Sequence, residues 1–203
     1  MKFTHKLYTK YCILFTAAIF LTFFLYGARL SLASSFTGDH CVSWETQVTS
    51  FLFLDSNVRG ESCEVSVEIE ENEEGAYVIR AEVPIKSFES GDRGRNNEVF
   101  EYLKGKWQPN ILIESIAVSK RDLKLAILGR QKFLVSMITV ANKTFPLELS
   151  ITNKLEGMVQ TSFTALGLDP PQKLWGVIAS SKNSLLLKFK FSLKKIENLD
   201  LLK

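Results

Sequence analysis

The stretch Pro84–Ser115, PIKSFESGDRGRNNEVFEYLKGKWQPNILIES, decides how the rest of the chain is read. It opens as the end of a strand: Tyr77, Ile79, Ala81, Val83 and Ile85 alternate with Val78, Arg80 and Glu82 at the two-residue period of a strand with one buried face. Ser90 to Gly94 then breaks the alternation with turn-forming residues. From Arg95 to Leu103 the period changes. Val99, Tyr102 and Leu103 fall three and four apart, which predicts a short helix, with Asp92 or Asn96 to cap its start and Gly105 to end it. Trp107-Gln108-Pro109 turns the chain, and Ile111 and Ile113 resume the strand period.

Moving outward, strands follow one another. Val48 to Leu54 reads as one. Cys63, Val65, Val67 and Ile69 alternate with Glu64, Ser66, Glu68 and Glu70, and Glu70 to Gly75 reads as a solvated hairpin turn. An acidic calcium loop at that turn would need Asp/Asn alternation, which is missing. Ile111 to Val118, Leu123 to Leu128 and Phe133 to Val140 are the next expected strands. Phe145, Leu147, Leu149 and Ile151 form another alternating set, and Leu155 to Leu166 is long enough for one bent strand or two. The cleanest pattern is the last, Leu185, Leu187, Phe189, Phe191 and Leu193 against Lys188, Lys190, Ser192 and Lys194. The sum is a mainly β fold: an antiparallel barrel of about eight strands with one short helix in a loop region. A barrel of that size is filled by its own side chains or holds one elongated ligand.

The same stretch resembles the YceI-like family of secreted, lipocalin-like β-barrels that bind polyisoprenoids and other long amphiphiles. Ser87 to Asp92, Arg95 to Leu103, Pro109-Asn110-Ile111 and the later Ser162 to Pro171 carry the resemblance, which spans roughly Val48 to Leu193. Two departures stand out. The family helix often reads Arg-Asp-x-His where this chain has Arg95-Asn96-Asn97-Glu98, and the family's central hairpin carries a glycine that Thr139 to Pro146 lacks. The resemblance implies an apolar cavity holding an isoprenoid or similar lipid as partner, with no cofactor. Ile113, Phe133, Leu149, Phe163 and Phe189 are the lining candidates, each read as mid-strand on an apolar face. Asp92, Arg95 and Asn96 are placed near the mouth for a polar head group. Read by pattern alone, the same apolar rows would pack against one another as a ligand-free core, acting through protein contacts in the envelope.

The first 33 residues read as an export signal. Lys2, Lys6 and Lys10 precede an uncharged run from Tyr11 to Tyr26, and Ser31-Leu32-Ala33 offers small residues at a cleavage site. The alternative is an uncleaved membrane anchor, since the run is only slightly short of a bilayer span of ~20 residues. Residues 34–47 then form an N-terminal segment, 48–195 the barrel and 196–203 a tail. Of 25 Lys and Arg, four (Lys2, Lys6, Lys10 and Arg29) lie in the signal, which leaves 21 against 22 Asp and Glu. That near-neutral balance gives no footing for nucleic-acid binding. Nor do Phe189 and Phe191 make a stacking platform with the lysines between them, because strand period puts the two sets on opposite faces.

Export also frames the cysteines. Cys41 and Cys63 remain as an even pair for an oxidising compartment, the periplasm or outside the cell, and a disulfide between them is expected; two separate thiols are the alternative. Zinc has too few ligands, since His40 is the one histidine beyond the signal. From Val48 onward no histidine, nucleophile elbow or paired metal-ligand motif occurs. The residues therefore point to binding, not to an enzyme, and metal and catalytic residues are expected to be none.

Overall fold

The computed structural model describes residues 36–49, 54–130, 133–151, 155–172 and 180–202. All lie in one compact unit, Phe36–Lys203. The proposed signal and its cleavage site fall outside the described residues.

Ten strands form a single curled sheet. They are β1 (Cys41–Thr49), β2 (Asp55–Ser62), β3 (Ser66–Glu71), β4 (Tyr77–Pro84), β5 (Asn110–Ser115), β6 (Phe133–Val140), β7 (Lys143–Ile151), β8 (Glu156–Thr161), β9 (Ser180–Lys190) and β10 (Ile196–Glu197). Their order is β10-β3-β4-β5-β6-β7-β8-β9-β1-β2. Every pairing is antiparallel except the two-residue β10 against β3. The fold class is therefore the mainly β, curled lipocalin-like sheet that the alternation implied, with ten strands in place of about eight. The first strand starts earlier than Val48. Val42, Trp44, Thr46 and Val48 already alternate, and they pair with both β2 and β9.

The two edges of the sheet, β2 and β3 with β10, are consecutive in sequence, joined by Cys63, Glu64 and Val65. The chain itself thus bridges the open side of the barrel. Three contacts hold this seam. The Cys41–Cys63 disulfide links the start of β1 to the β2–β3 joint. Buried His40 spans it, with Nε2 bonded to the Val65 carbonyl at 3.0 Å and Nδ1 accepting the Ser192 N–H at 3.1 Å. The Asp39–Lys195 pair lies beside them at 3.3 Å. A mutual backbone bridge between Glu61 and Glu89 ties β2 to the loop before the helix.

Two helices sit at opposite ends of the barrel, because one joins the end of β4 to the start of β5 and the next joins the end of β5 to β6. The first, α1 (Arg93–Tyr102), starts as the sequence suggested: Asp92 accepts the Arg95 N–H at 2.9 Å. It ends in a Schellman turn in which Lys104, not a glycine, takes the left-handed conformation (φ 58°) and the Gly105 N–H bonds the Phe100 carbonyl. The second, α2 (Lys120–Ile127), corrects the expectation of a strand at Leu123 to Leu128. Ser119 caps it by accepting the Asp122 N–H at 3.1 Å, and Gly129 (φ 66°) terminates it. The four-residue run Leu123, Lys124, Leu125, Ala126 mimics strand alternation. Helical spacing then brings Leu123, Ala126 and Ile127 to one face, and Leu123 packs with Ile69 and Tyr77.

Candidate lipid cavity

Strand alternation turns one row of side chains from each long strand into the barrel. On β6 the inward row is Leu134, Ser136, Ile138 and Val140, all buried, while Val135 and Met137 are exposed on the outer face. On β4, β5 and β7 the rows are Ile79-Ala81-Val83, Ile111-Ile113-Ser115 and Leu147-Leu149-Ile151. Leu185, Leu187 and Phe189 of β9 and Val42, Trp44, Thr46 and Val48 of β1 complete the ring. These rows do not meet at the centre. They enclose a cavity of about 210 Å³ whose wall is almost wholly hydrocarbon.

The ends of the cavity are built differently. At the α1 end, Val99, Tyr102 and Leu103 of the helix line it together with Phe163, Leu166 and Leu168. Tyr102 locks this end: its hydroxyl donates to the Asp169 carbonyl at 2.5 Å and its ring meets Phe163 edge-on at 6.2 Å. Burial, and then the Asp169 charge, push the Tyr102 hydroxyl up to about 12. At the α2 end, Ile127 and Ile69 contribute to the wall. Near the seam, Phe189 and Phe191 stack at 5.2 Å. Gly157 lies flat under Phe189, where a Cβ would come within 2.4 Å of the ring and 2.2 Å of the Ser150 carbonyl.

Of the residues singled out from sequence, Ile113, Leu149, Phe163 and Phe189 all line this cavity. Phe163 does so from a different element than expected: it precedes a 3₁₀ turn (Thr164–Leu166) after β8 and is not mid-strand. Phe133 belongs to β6 and its backbone pairs with Ser150, but its side chain lies outside the described ones. Arg95 is the charged residue of α1 on the cavity wall, and its Nη1 also reaches the Ser90 carbonyl at 3.4 Å. Asp92 and Asn96 do not line it. Asp92 caps the helix, and Asn96 ties the preceding loop by accepting from Ser90 (2.7 Å) and donating to Glu89 (2.7 Å).

Sequence reasoning missed Trp44, Ser115 and Ser136. The first was visible in the alternation from Val42 to Val48. The two serines were hidden because a polar residue on a strand reads as outward-facing. Cys41, Cys63 and Glu61 approach one another closely enough for a metal, but the two sulfurs are consumed in the disulfide.

No family model matches the sequence, and no curated protein matches it. Solved structures do. BcnA of Burkholderia cenocepacia is 14% identical, covers 73% of this chain and 93% of its own, and superposes with a TM-score of 0.50. At that identity the likeness shows a shared fold. A YCEI protein of Campylobacter jejuni is also similar (14% identity, 64% of this chain and 84% of that one, TM-score 0.43). So is a polyisoprenoid binding domain from Saccharophagus degradans, implicated in plant cell wall breakdown (8% identity, 73% and 90%, TM-score 0.43). At these identities the likeness shows the architecture alone. The disulfide suits an oxidising compartment.

Proposed function

We propose that this protein is exported to the periplasm or beyond and holds one long amphiphile, of the polyisoprenoid kind, in its barrel. The observation that carries the reading is the cavity itself: apolar rows from both halves of the sheet surround empty space where a packed domain would have interdigitated side chains. Burial of a chain there is favourable by ~0.8 kcal/mol per methylene. About ten buried methylenes give ~8 kcal/mol, the scale of micromolar affinity before the cost of association is subtracted. The residues do nothing more than this chemically. Among the described residues the wall is almost wholly apolar, so binding is the role the interior suits. Sequence resemblance supplies the isoprenoid class, and the basic-apolar-small pattern of residues 1–33 supplies the route of export.

Organic extraction of protein purified from its native compartment, followed by mass spectrometry, tests the reading. A stoichiometric isoprenoid in the extract is the expected result. Extracts without lipid, together with failure of the stripped protein to take up any isoprenoid, would leave a packed domain acting through protein contacts.

A further inference from the structure

We propose that the ligand carries a neutral oxygen, a hydroxyl, carbonyl or ether, seated on Ser136 Oγ inside the barrel and not on the charged residue of α1. This rests on the lipid-binding reading above and adds the chemistry and direction of the bound molecule. Ser136 is 1% exposed and stands on the inward row of β6 between Leu134 and Ile138. Its hydroxyl has no hydrogen-bond partner. Three other buried hydroxyls have partners. Ser62 pairs with Ser87 Oγ at 2.6 Å, Thr46 donates to the Ser184 carbonyl at 2.8 Å, and Ser115 accepts the Ile79 N–H at 2.9 Å. Among the described residues Ser136 Oγ is the fully enclosed side-chain hydroxyl without a partner, and it lies on the wall of the cavity.

Its neighbours define what would satisfy it. Ser115 is the cross-strand partner of Ser136; its oxygen accepts the Ile79 N–H, and its own proton is still to be donated. Trp44 Nε1, four strands along the sheet order, is a second buried cavity-wall donor without a partner, and an indole N–H can only donate. Donors left over in a hydrocarbon cavity call for an acceptor on the guest. A phosphate is the wrong acceptor here. Ser115 is the last residue of β5, toward α2, whereas Arg95 sits on α1 at the opposite end. An anion at Ser136 would be buried away from Arg95, and Lys188, the lysine on the cavity wall, is already paired with Glu45 at 3.3 Å, so the charge would go uncompensated at a strong cost. A neutral oxygen meets the donors with no such penalty. The guest is therefore seated with its oxygen at Ser136 and its tail directed toward α1.

Competition against the fluorescent apolar probe N-phenyl-1-naphthylamine, on purified delipidated protein, tests this with three C20-type guests: geranylgeraniol, geranylgeranyl pyrophosphate and the saturated hydrocarbon phytane. The alcohol should displace the probe at about tenfold lower concentration than the hydrocarbon, as expected for one buried hydrogen bond. Ser136→Ala should abolish most of that advantage, leave phytane binding unchanged, and not lower the melting temperature of the empty protein, since it deletes an unpaired group. A hydroxyl with a purely structural role would instead lower it. Equal displacement by alcohol and hydrocarbon in the unaltered protein overturns the proposal while leaving lipid binding intact. So does a pyrophosphate that binds tighter than the alcohol. Entry of none of the three overturns both this inference and the reading it rests on.

Discussion

At the scale of the residue, His40 shows how one side chain can be committed to a single protonation state. The Ser192 N–H can only donate, so Nδ1 must be unprotonated, and the Val65 carbonyl can only accept, so Nε2 carries the proton. Protonation of Nδ1 would set two donors against each other. Burial lowers the His40 pKa from 6.5, with nearby Lys195 acting in the same sense and the Val65 bond and Asp39 opposing. A lowered pKa in the folded state means the unfolded chain binds the extra proton more readily. The stability His40 confers is therefore fully present above about pH 6.5 and declines as pH falls through the depressed folded value. Unfolding midpoints of the parent and of His40→Gln between pH 8 and 5 should converge toward acid pH. A constant gap across that range would contradict the assignment.

At the scale of the element, the helix α2 shows what a few residues of phase decide. Leu123 is fully buried on the face toward Ile69 and Tyr77, whereas Leu128, past the last turn, is 61% exposed. Leu123→Ala should cost ~2–5 kcal/mol by denaturant unfolding, and Leu128→Ala should stay within about 0.5 kcal/mol. Were Leu123 to Leu128 a strand, the even and odd positions would divide the cost instead. The helix was legible all the same. Ser119-x-x-Asp122 before an apolar run is an N-terminal signature and Gly129 is a stop signal. The alternation of Leu123, Lys124 and Leu125 outweighed them because a short apolar run satisfies both periods.

At the scale of the whole molecule, the seam holds the sheet closed and the cavity defines its interior. The Cys41–Cys63 bridge closes a loop across 22 positions of sequence separation. In the chain-entropy picture such a loop is worth ~3 kcal/mol, so mild reductant should lower the melting temperature, and the Cys41→Ser, Cys63→Ser double variant should melt at the reduced protein's temperature. Alkylation of two thiols without reductant would refute the pairing. The cavity predicts the response to filling it. Leu149→Trp, on the inward row of β7, should block uptake of an isoprenoid yet shift the melting temperature little, because the indole takes space a guest would occupy. In a packed core the same change costs roughly 1–3 kcal/mol. Measuring retention and melting on one sample separates the two cases.

What the sequence determined by itself was whatever depends on neighbours along the chain. Alternation marked most of the strands and the inward sets of β7 and β9, because successive side chains on a strand must point to opposite faces. Asp92 and the spacing of Val99, Tyr102 and Leu103 marked α1 by the same local logic. Tertiary structure decided the rest. Where both faces of a strand are apolar, as on β6, period is silent, and only pairing with β5 and β7 turns Leu134, Ser136 and Ile138 inward. Whether those rows touch across the barrel or stand apart around a cavity depends on how far the sheet curls and where it closes. That is set by contacts between Val65 and Ser192, Cys41 and Cys63, and Tyr102 and Asp169, partners far apart in sequence and invisible to any period.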